Sequence, residues 1–380
     1  MKPLCINGGR VLTPDGDLVV MPVSFEAGCI RFSEGTPVTT TLDASDYLVL
    51  PGIVDIHGDA FERQLQPRPG VAFPVTLALR DTQAQLLANA ITTAFHGVTL
   101  SWEPGLRSAD SWRPLVDALA REDWVCDMRL HLRWEAFNLD ALEMARADIA
   151  AGHVHLLAFN DHTPSIVRRL DDDVAGAKYS ERAGMSLVEF RALAHRIAAR
   201  AGEIPDALAQ IATAARQAGL PIASHDDATL ADRERFRALG ARICEFPMER
   251  SVAEAARAAG DAVVMGSPNV VRGGSHLGWA SAADLAEAGI CNVLSSDYFY
   301  PAMLQAGFIL AEGGVLDFAA AWSLISTNPA AAAGLTDRGV IDEGLRGDVV
   351  VVDPATRTVV ATLIKGEIAW LSTAGARRLN

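Results

Sequence analysis

The sequence predicts an α/β fold: a TIM (β/α)8 barrel with a small β-sandwich built from both chain ends. Three observations point there. Eight short apolar runs alternate with Ala-, Leu-, Arg- and Glu-rich segments of helical period, and eight such units over about 280 residues is the size of this barrel. Most of the chemically active side chains stand where those runs end. Both termini read as short strands separated by Gly, Pro and Asp turns, without helical periodicity.

The opening residues 1–50 contain "PLCINGGRVLT", "DLVVMPVSFEAGCIRF" and "YLVL", and residues 339–380 repeat that character in "GDVVVVDPATRTVVATLIKGEIAWL". These two stretches are expected to pair into one β-sandwich, with residues 51–338 forming the barrel. The eight barrel strands are expected in "GIVDIHGDA", "GVTLSW", "MRLHLRWE", "HVHLLAFNDH", "PIASHDD", "RICEFPM", "AVVMGSPN" and "CNVLSSDY". Segments such as "PDALAQIATAARQAG" have the apolar spacing of amphipathic helices. In the third strand Arg129, His131, Arg133 and Glu135 alternate with Leu130, Leu132, Trp134 and Ala136. An ordinary buried parallel strand is apolar on both faces, so this one faces either a polar lumen or an internal ladder of arginine–glutamate pairs.

Half of the 380 residues are hydrophobic, enough for a sizeable core. The first residues contain no apolar run behind a basic start and no stretch of 18 apolar residues occurs, so neither export nor a membrane span is expected; the five separated cysteines lack CxxC spacing, so a reduced cytoplasm is the expected location. Thirty-three basic against 47 acidic residues give a net charge of −14, which argues against broad capture of nucleic acid or an anionic membrane surface. Only Lys2, Lys178 and Lys365 are lysines.

In the first strand Asp55, His57 and Asp59 share a face by two-residue alternation, so His57 and Asp59 can converge on one ion. Imidazole with carboxylate suits zinc, manganese or iron. Comparable groups end other strands: Glu135, His162, His225 and Asp297. Several histidines and carboxylates at successive strand mouths form a converging set that packing does not require. Asp226 and Asp227 adjoin His225, point elsewhere, and are expected to orient ligands. In "NVVRGGSH", Arg272, Ser275 and His276 flank a Gly-Gly turn, either a plain turn or a loop whose amides approach an anion. Arg63 and Arg68 stand near the first-strand ligands, and with Arg272 they are candidates for a polyanion clamp. The charged stretch from Ser165 to Gly184 reads equally as a lid or a solvated excursion.

"LVLPGIVDIHGD" and "NPAAAAGLTDRGVIDEGLRGDVVVVD" resemble the two flanking signatures of the amidohydrolase superfamily, over nearly the whole chain. "QPRPG", "RLHLRWE", "ASHDDAT", "MGSPNVVRGGSH" and "SSDYFYP" resemble its phosphonate-metabolism branch more narrowly. The resemblance implies the barrel and sandwich, one or two divalent metals, and cleavage of a sugar triphosphate to a sugar monophosphate and pyrophosphate within the carbon–phosphorus lyase pathway. Its metal motif carries over to His57, Asp59, Glu135, His225 and Asp297, with His162 at a matching Asp-His turn. The chain departs from the superfamily in His-x-Asp where His-x-His is commonest, and in Glu245 where many members have histidine. The "AFERQ" after the His-x-Asp pair also differs from the phosphonate branch. No lysine ends a barrel strand, so a carbamylated lysine cannot bridge two metals; Glu135 is the bridging candidate.

The mechanism implied has a metal-acidified water attacking phosphorus, Asp297 accepting its proton and also serving as a ligand. Arg63, Arg68 and Arg272 neutralise the leaving pyrophosphate, and His276 donates to a departing oxygen. Two alternatives remain open: attack on the C–N bond of an amide, lactam or cyclic imide, and a non-catalytic binding role in a phosphonate-handling complex. The expected partner is a small phosphorylated sugar, with a homodimer as the expected assembly.

Overall fold

The computed structural model describes residues 4–32, 40–68, 70–121, 123–274 and 280–380. Eight parallel strands follow one another around a barrel: β1 (Ile53–Gly58), β2 (Ile91–Leu100), β3 (Asp127–Glu135), β4 (Leu156–Asn160), β5 (Ile222–His225), β6 (Ile243–Glu245), β7 (Ala262–Gly266) and β8 (Val293–Ser295). The first and last meet through a parallel bridge between Gly58 and Asp297, where the Asp59 amide donates to the Asp297 carbonyl at 2.9 Å and the Asp297 amide to the His57 carbonyl at 3.0 Å. β2 begins six residues before the run "GVTLSW", because Thr92, Thr93 and His96 interrupt the apolar pattern yet are fully buried within the strand.

Two layers of apolar side chains hold the barrel. Outward residues such as Ile53, Leu100, Leu130, Leu132, Trp134 and Phe159 pack with the surrounding helices in the main core. Val54, Ile56, Phe95, Leu156, Ala158, Ala223, Ile243, Val264 and Val293 belong to a separate core. Because side chains repeat every second residue along a strand, the face carrying Ala223 and Ile243 into that core also carries His225 and Glu245. Where the apolar filling stops, polar groups begin.

Both chain ends build two further sheets. The four-stranded one runs in the order Cys29–Arg31, Val23–Glu26, Leu4–Asn7, Thr40–Asp43; the six-stranded one runs Glu367–Leu371, Thr358–Ile364, Val349–Asp353, Leu48–Pro51, Arg10–Leu12, Leu18–Val20. Ile6, Val23, Phe25, Ile30 and Leu42 of the first share a core with Val49, Val349, Val351, Val360 and Leu363 of the second. The architecture is thus a TIM barrel with a β-sandwich formed by both ends. Among the described residues no helix is long and apolar enough to cross a membrane.

The excursion after β4 is ordered as helices Thr163–Arg169, Asp173–Ala183 and Leu187–Ala198. Asp172 caps the second by accepting from the Val174 and Ala175 amides, and Gly184 ends it in the left-handed conformation at φ 65°. Ser186 and Glu189 form a reciprocal capping box on the third. Ile166, Leu170, Phe190 and Ala194 give these helices a small core of their own.

Candidate metal centre and flanking cavities

Strands β1, β3, β5 and β6 bring His57, His131, His225 and Glu245 together, His131 from the middle of its strand and the others from strand ends. His57 stacks on His225 with centroids 5.1 Å apart and meets His131 edge-on at 5.1 Å. Its Nδ1 lies 2.9 Å from Glu245 Oε2, and His131 Nε2 stands 3.8 Å from Glu245 Oε1. His57 Nδ1, His131 Nε2 and Glu245 Oε1 are nonetheless buried polar atoms that meet no hydrogen-bond geometry among the described residues. Such orphans are costly in a native interior. Two neutral imidazole nitrogens and a carboxylate facing one another, all within 4.8 Å, fit a divalent ion.

Electrostatics favour that use. Burial first, then the Arg133 charge, holds His57 and His225 well below their ordinary values. Burial brings His131 down to about 3 against the opposing pull of Glu245. These rings are therefore neutral, as coordination requires. Burial lifts Glu245 to about 7, with His131 and Arg133 pulling the other way. His131 is further oriented by its Nδ1, 3.0 Å from the Ile56 carbonyl, which leaves Nε2 directed at Glu245.

A second group joins His162, His225 and Asp226. His162 Nδ1 is 3.5 Å from Glu135 Oε2 and its Nε2 is 3.5 Å from Asp226 Oδ2. Burial opposes its charge, but hydrogen bonds to Asp226 and Glu135 outweigh that and raise it to about 9. Arg133 enters between the groups, with Nη2 2.8 Å from His225 Nε2 and Nη1 3.4 Å from Asp59 Oδ2. Gly97 on β2 makes room, since a Cβ there would press within 3.2 Å of Arg133 Cδ and 3.5 Å of His57 Nε2.

The strand ends also use left-handed backbone. Asp226, Phe246 and Asp297 have φ of 58°, 51° and 54°, a conformation costly for residues other than glycine and concentrated at functional sites. These turns follow β5, β6 and β8, and all three residues line a cavity of about 270 Å³ with His57, His225 and Arg272. Asp297 is raised to about 7 by burial first and by the Asp59 charge next. Behind it, Asp55 accepts from the Ser296 hydroxyl at 2.5 Å, the Ser296 amide at 3.0 Å and the His57 amide at 3.3 Å. The two ends of the barrel are tied beneath the site.

The expected site residues divide accordingly. His57, His162 and His225 fall within the two donor groups. Asp59 and Asp297 line the cavity beside them. Glu135 is occupied: it accepts from the Thr163 hydroxyl at 2.7 Å and from the Thr163 and His162 amides at 3.2 and 3.3 Å. Asp226 reaches the cavity, whereas Asp227 turns to Ser224 at 2.6 Å and Arg233 at 3.2 Å. Arg63 and Arg68 do not close on Arg272; they line a separate cavity of about 380 Å³ with Arg107, Lys178 and Arg182. The two cavities share a boundary at Tyr298, whose carbonyl accepts from Arg63 and whose hydroxyl lies 3.5 Å from Arg272. Ser275 and His276 lie outside the described residues. His131 and Arg133 were expected in the lumen but without a role; their alternation with apolar neighbours was the available signal. In the sequence Glu245 stands out only as a departure from histidine.

No family model matches the chain. Among solved structures, molinate hydrolase superposes with a TM-score of 0.66 at 15% identity, covering 97% of this chain and 94% of that one. The beta-aspartyl dipeptidase of Fervidobacterium islandicum AW-1 does so at 0.64 and 14% identity, over 97% and 96%. These likenesses show the fold, a barrel whose strands bring together histidine–carboxylate groups able to hold a metal. At the level of sequence, the chain is 33% identical over 361 residues to alpha-D-ribose 1-methylphosphonate 5-triphosphate diphosphatase of Escherichia coli (strain K12), covering 91% of this chain and 94% of that protein. The chain belongs to the family of that diphosphatase.

Proposed function

We propose that the chain hydrolyses the phosphoric anhydride of a phosphorylated sugar phosphonate, with ribose 1-methylphosphonate 5-triphosphate as the substrate and pyrophosphate as one product. The relative at 33% identity supports this substrate class. The observation that carries the reading is Tyr298: next to Asp297, it contacts Arg272 on one side and Arg63 on the other, so guanidinium groups flank the reacting end of the barrel. A triphosphate carries about three to four negative charges, and arginine forks match phosphate oxygens.

His57, His131 and Glu245 would hold one divalent ion, zinc first among the candidates; His162, His225 and Asp226 would hold a second once His162 gives up the proton that Asp226 and Glu135 stabilise. Such an ion, when bound, supplies an acidified water and screens phosphoryl charge. Asp297, raised to about 7, is a base matched to neutral pH and takes the water's proton as oxygen bonds to phosphorus. The electron pair of the breaking P–O bond leaves with the pyrophosphate. Arg272 lines the same cavity and stabilises the negative charge that develops on the phosphoryl oxygens.

A second reading, cleavage of a C–N bond, is favoured by one feature: Phe246, Pro247, Met265, Pro268 and Ala280 give the metal cavity an apolar wall. Phosphorus NMR separates the two. Metal-replete protein is expected to release pyrophosphate from the sugar phosphonate triphosphate, and metal-stripped protein is not. Absence of pyrophosphate with metal confirmed in the sample would reject the phosphoanhydride reading and direct substrate trials to amides and cyclic imides.

A further inference from the structure

We propose that the second cavity is a condensed-phosphate site, which receives the diphosphate end of the substrate and retains it as the leaving group. The inference rests on the phosphoanhydride reading and extends it to residues outside the metal cavity. Three separate chain segments build this space: residues 62–68 after β1, the loop after β2 with Glu103 and Arg107, and one side of the helix Asp173–Ala183. Together they supply five cations, and two of those are committed. Arg107 donates to Glu62 at 3.2 Å, and Arg182 pairs with the buried Glu103. That leaves Arg63, Arg68 and Lys178 against the single carboxylate of Glu181. Arg68 and Lys178 take part in no ion pair among the described residues.

A surplus of cations around one concavity is notable in a chain of net charge −14. Surface cations usually face open water or an acid; these line one cavity of about 380 Å³, and an anion entering it relieves the repulsion among them. The net excess of two positive charges suits a multiply charged anion such as a diphosphate better than a singly charged carboxylate. Arg63 fixes its direction, because its guanidinium is anchored on the Tyr298 carbonyl beside Asp297. Attack occurs on one side of that boundary and the departing oxygen lies toward the other. The bonds balance: water oxygen joins the phosphorus nearest the sugar, the anhydride P–O bond breaks with its electron pair on the pyrophosphate, and one water proton passes to Asp297. Lys178 and Arg182 thereby acquire a purpose for the helical excursion after β4, as the far wall of the leaving-group pocket.

The test is calorimetric titration of the full-length, metal-loaded protein with inorganic pyrophosphate and, separately, with inorganic phosphate. The Arg68→Ala/Lys178→Ala double variant is expected to bind pyrophosphate at least about tenfold more weakly than wild type, with phosphate affinity unchanged, and Lys178→Arg is expected to restore most of the loss contributed by that position. Both residues are exposed, so folding is not at stake; a thermal melt alongside verifies this. Unchanged pyrophosphate affinity in the double variant overturns the site, as does an equal loss for phosphate. The phosphorus NMR assay of the wild type is read independently: no pyrophosphate release, with pyrophosphate binding still dependent on Arg68 and Lys178, overturns the hydrolytic reading and with it the leaving-group role.

Discussion

The Arg133 guanidinium donates to His225, with Nη2 2.8 Å from the imidazole Nε2. Arginine has no acceptor, so Nε2 offers its lone pair and the ring proton belongs on Nδ1, which lies 3.4 Å from Glu245 Oε2. Nε2 is also the nitrogen that faces Asp226, at 3.6 Å. An ion at the His162–His225–Asp226 group and the Arg133 guanidinium therefore compete for one lone pair. Removing the guanidinium while keeping its bulk, in Arg133→Met, is expected to tighten binding of divalent metal by about tenfold or more. Competition against a chelator measures this. Weaker binding in the variant would mean that Arg133 holds the donors in position instead of opposing the ion.

Asp297 sits where proton acceptance and geometry coincide. Burial and its neighbour Asp59 raise it to about 7, and its backbone is fixed in the left-handed conformation by the closing contacts to His57 and Asp59. Asp297→Asn preserves shape and removes basicity. Turnover is expected to fall by about 10²- to 10⁴-fold, with metal content by elemental analysis unchanged. Full turnover with metal retained would remove Asp297 from the proton-accepting role; loss of metal would make it a ligand first.

The barrel was legible because parallel strands leave apolar runs, and because the alternation from Arg129 to Glu135 announced a polar lumen. Which lumen groups meet was not. Arg133 and His225 are 92 positions apart, and no local period encodes that encounter. Glu135 looked available at a strand end, yet the first turn of the next helix supplies the Thr163 hydroxyl and two amides that occupy it. The arginines read as one clamp because all are near the mouth; the chain between β8 and the following helix, at Tyr298, divides them into two cavities. The segment after β4 looked like a lid or an excursion because its caps, Asp172 and Ser186, lie among many other charges. The early start of β2 was concealed by buried threonines at positions 92 and 93.

Gly58 lies between His57 and Asp59 and carries the closing bridge to Asp297. A Cβ at this position would meet Asp55 Oδ2 at 2.6 Å and Ser296 Oγ at 2.8 Å, and neither can retreat, since they are bonded to each other in a buried space. Gly58→Ala is expected to cost about 1–3 kcal/mol by overpacking and to disturb both flanking ligand candidates. Denaturant unfolding and metal titration of the same variant should move together. A variant with wild-type stability and metal affinity would show that the barrel seam is more pliant than the contacts imply.

At the opposite end of the barrel, Arg338 is buried where the chain leaves for the sandwich, donating to Asp127 Oδ2 at 2.6 Å and to the Thr93 hydroxyl at 2.8 Å. Arg338→Ala strips Asp127 of one of its two arginine partners and is expected to cost about 3 kcal/mol or more. Burial works to raise the Asp127 carboxyl, but hydrogen bonds and charge from Arg129 and Arg338 prevail and hold it below its ordinary 3.8. A carboxyl depressed in the folded state contributes stability that is present above the unfolded value and is lost as pH falls through the lower, folded one. The wild type should therefore lose stability from this group on acidification below about pH 4. Asp127→Asn, which lacks the contribution already at neutral pH, should show a shallower acid dependence in thermal melts taken across that window. Parallel curves for wild type and Asp127→Asn would place the acid sensitivity elsewhere and leave Arg338 a role through Thr93, Asp337 and Asp348.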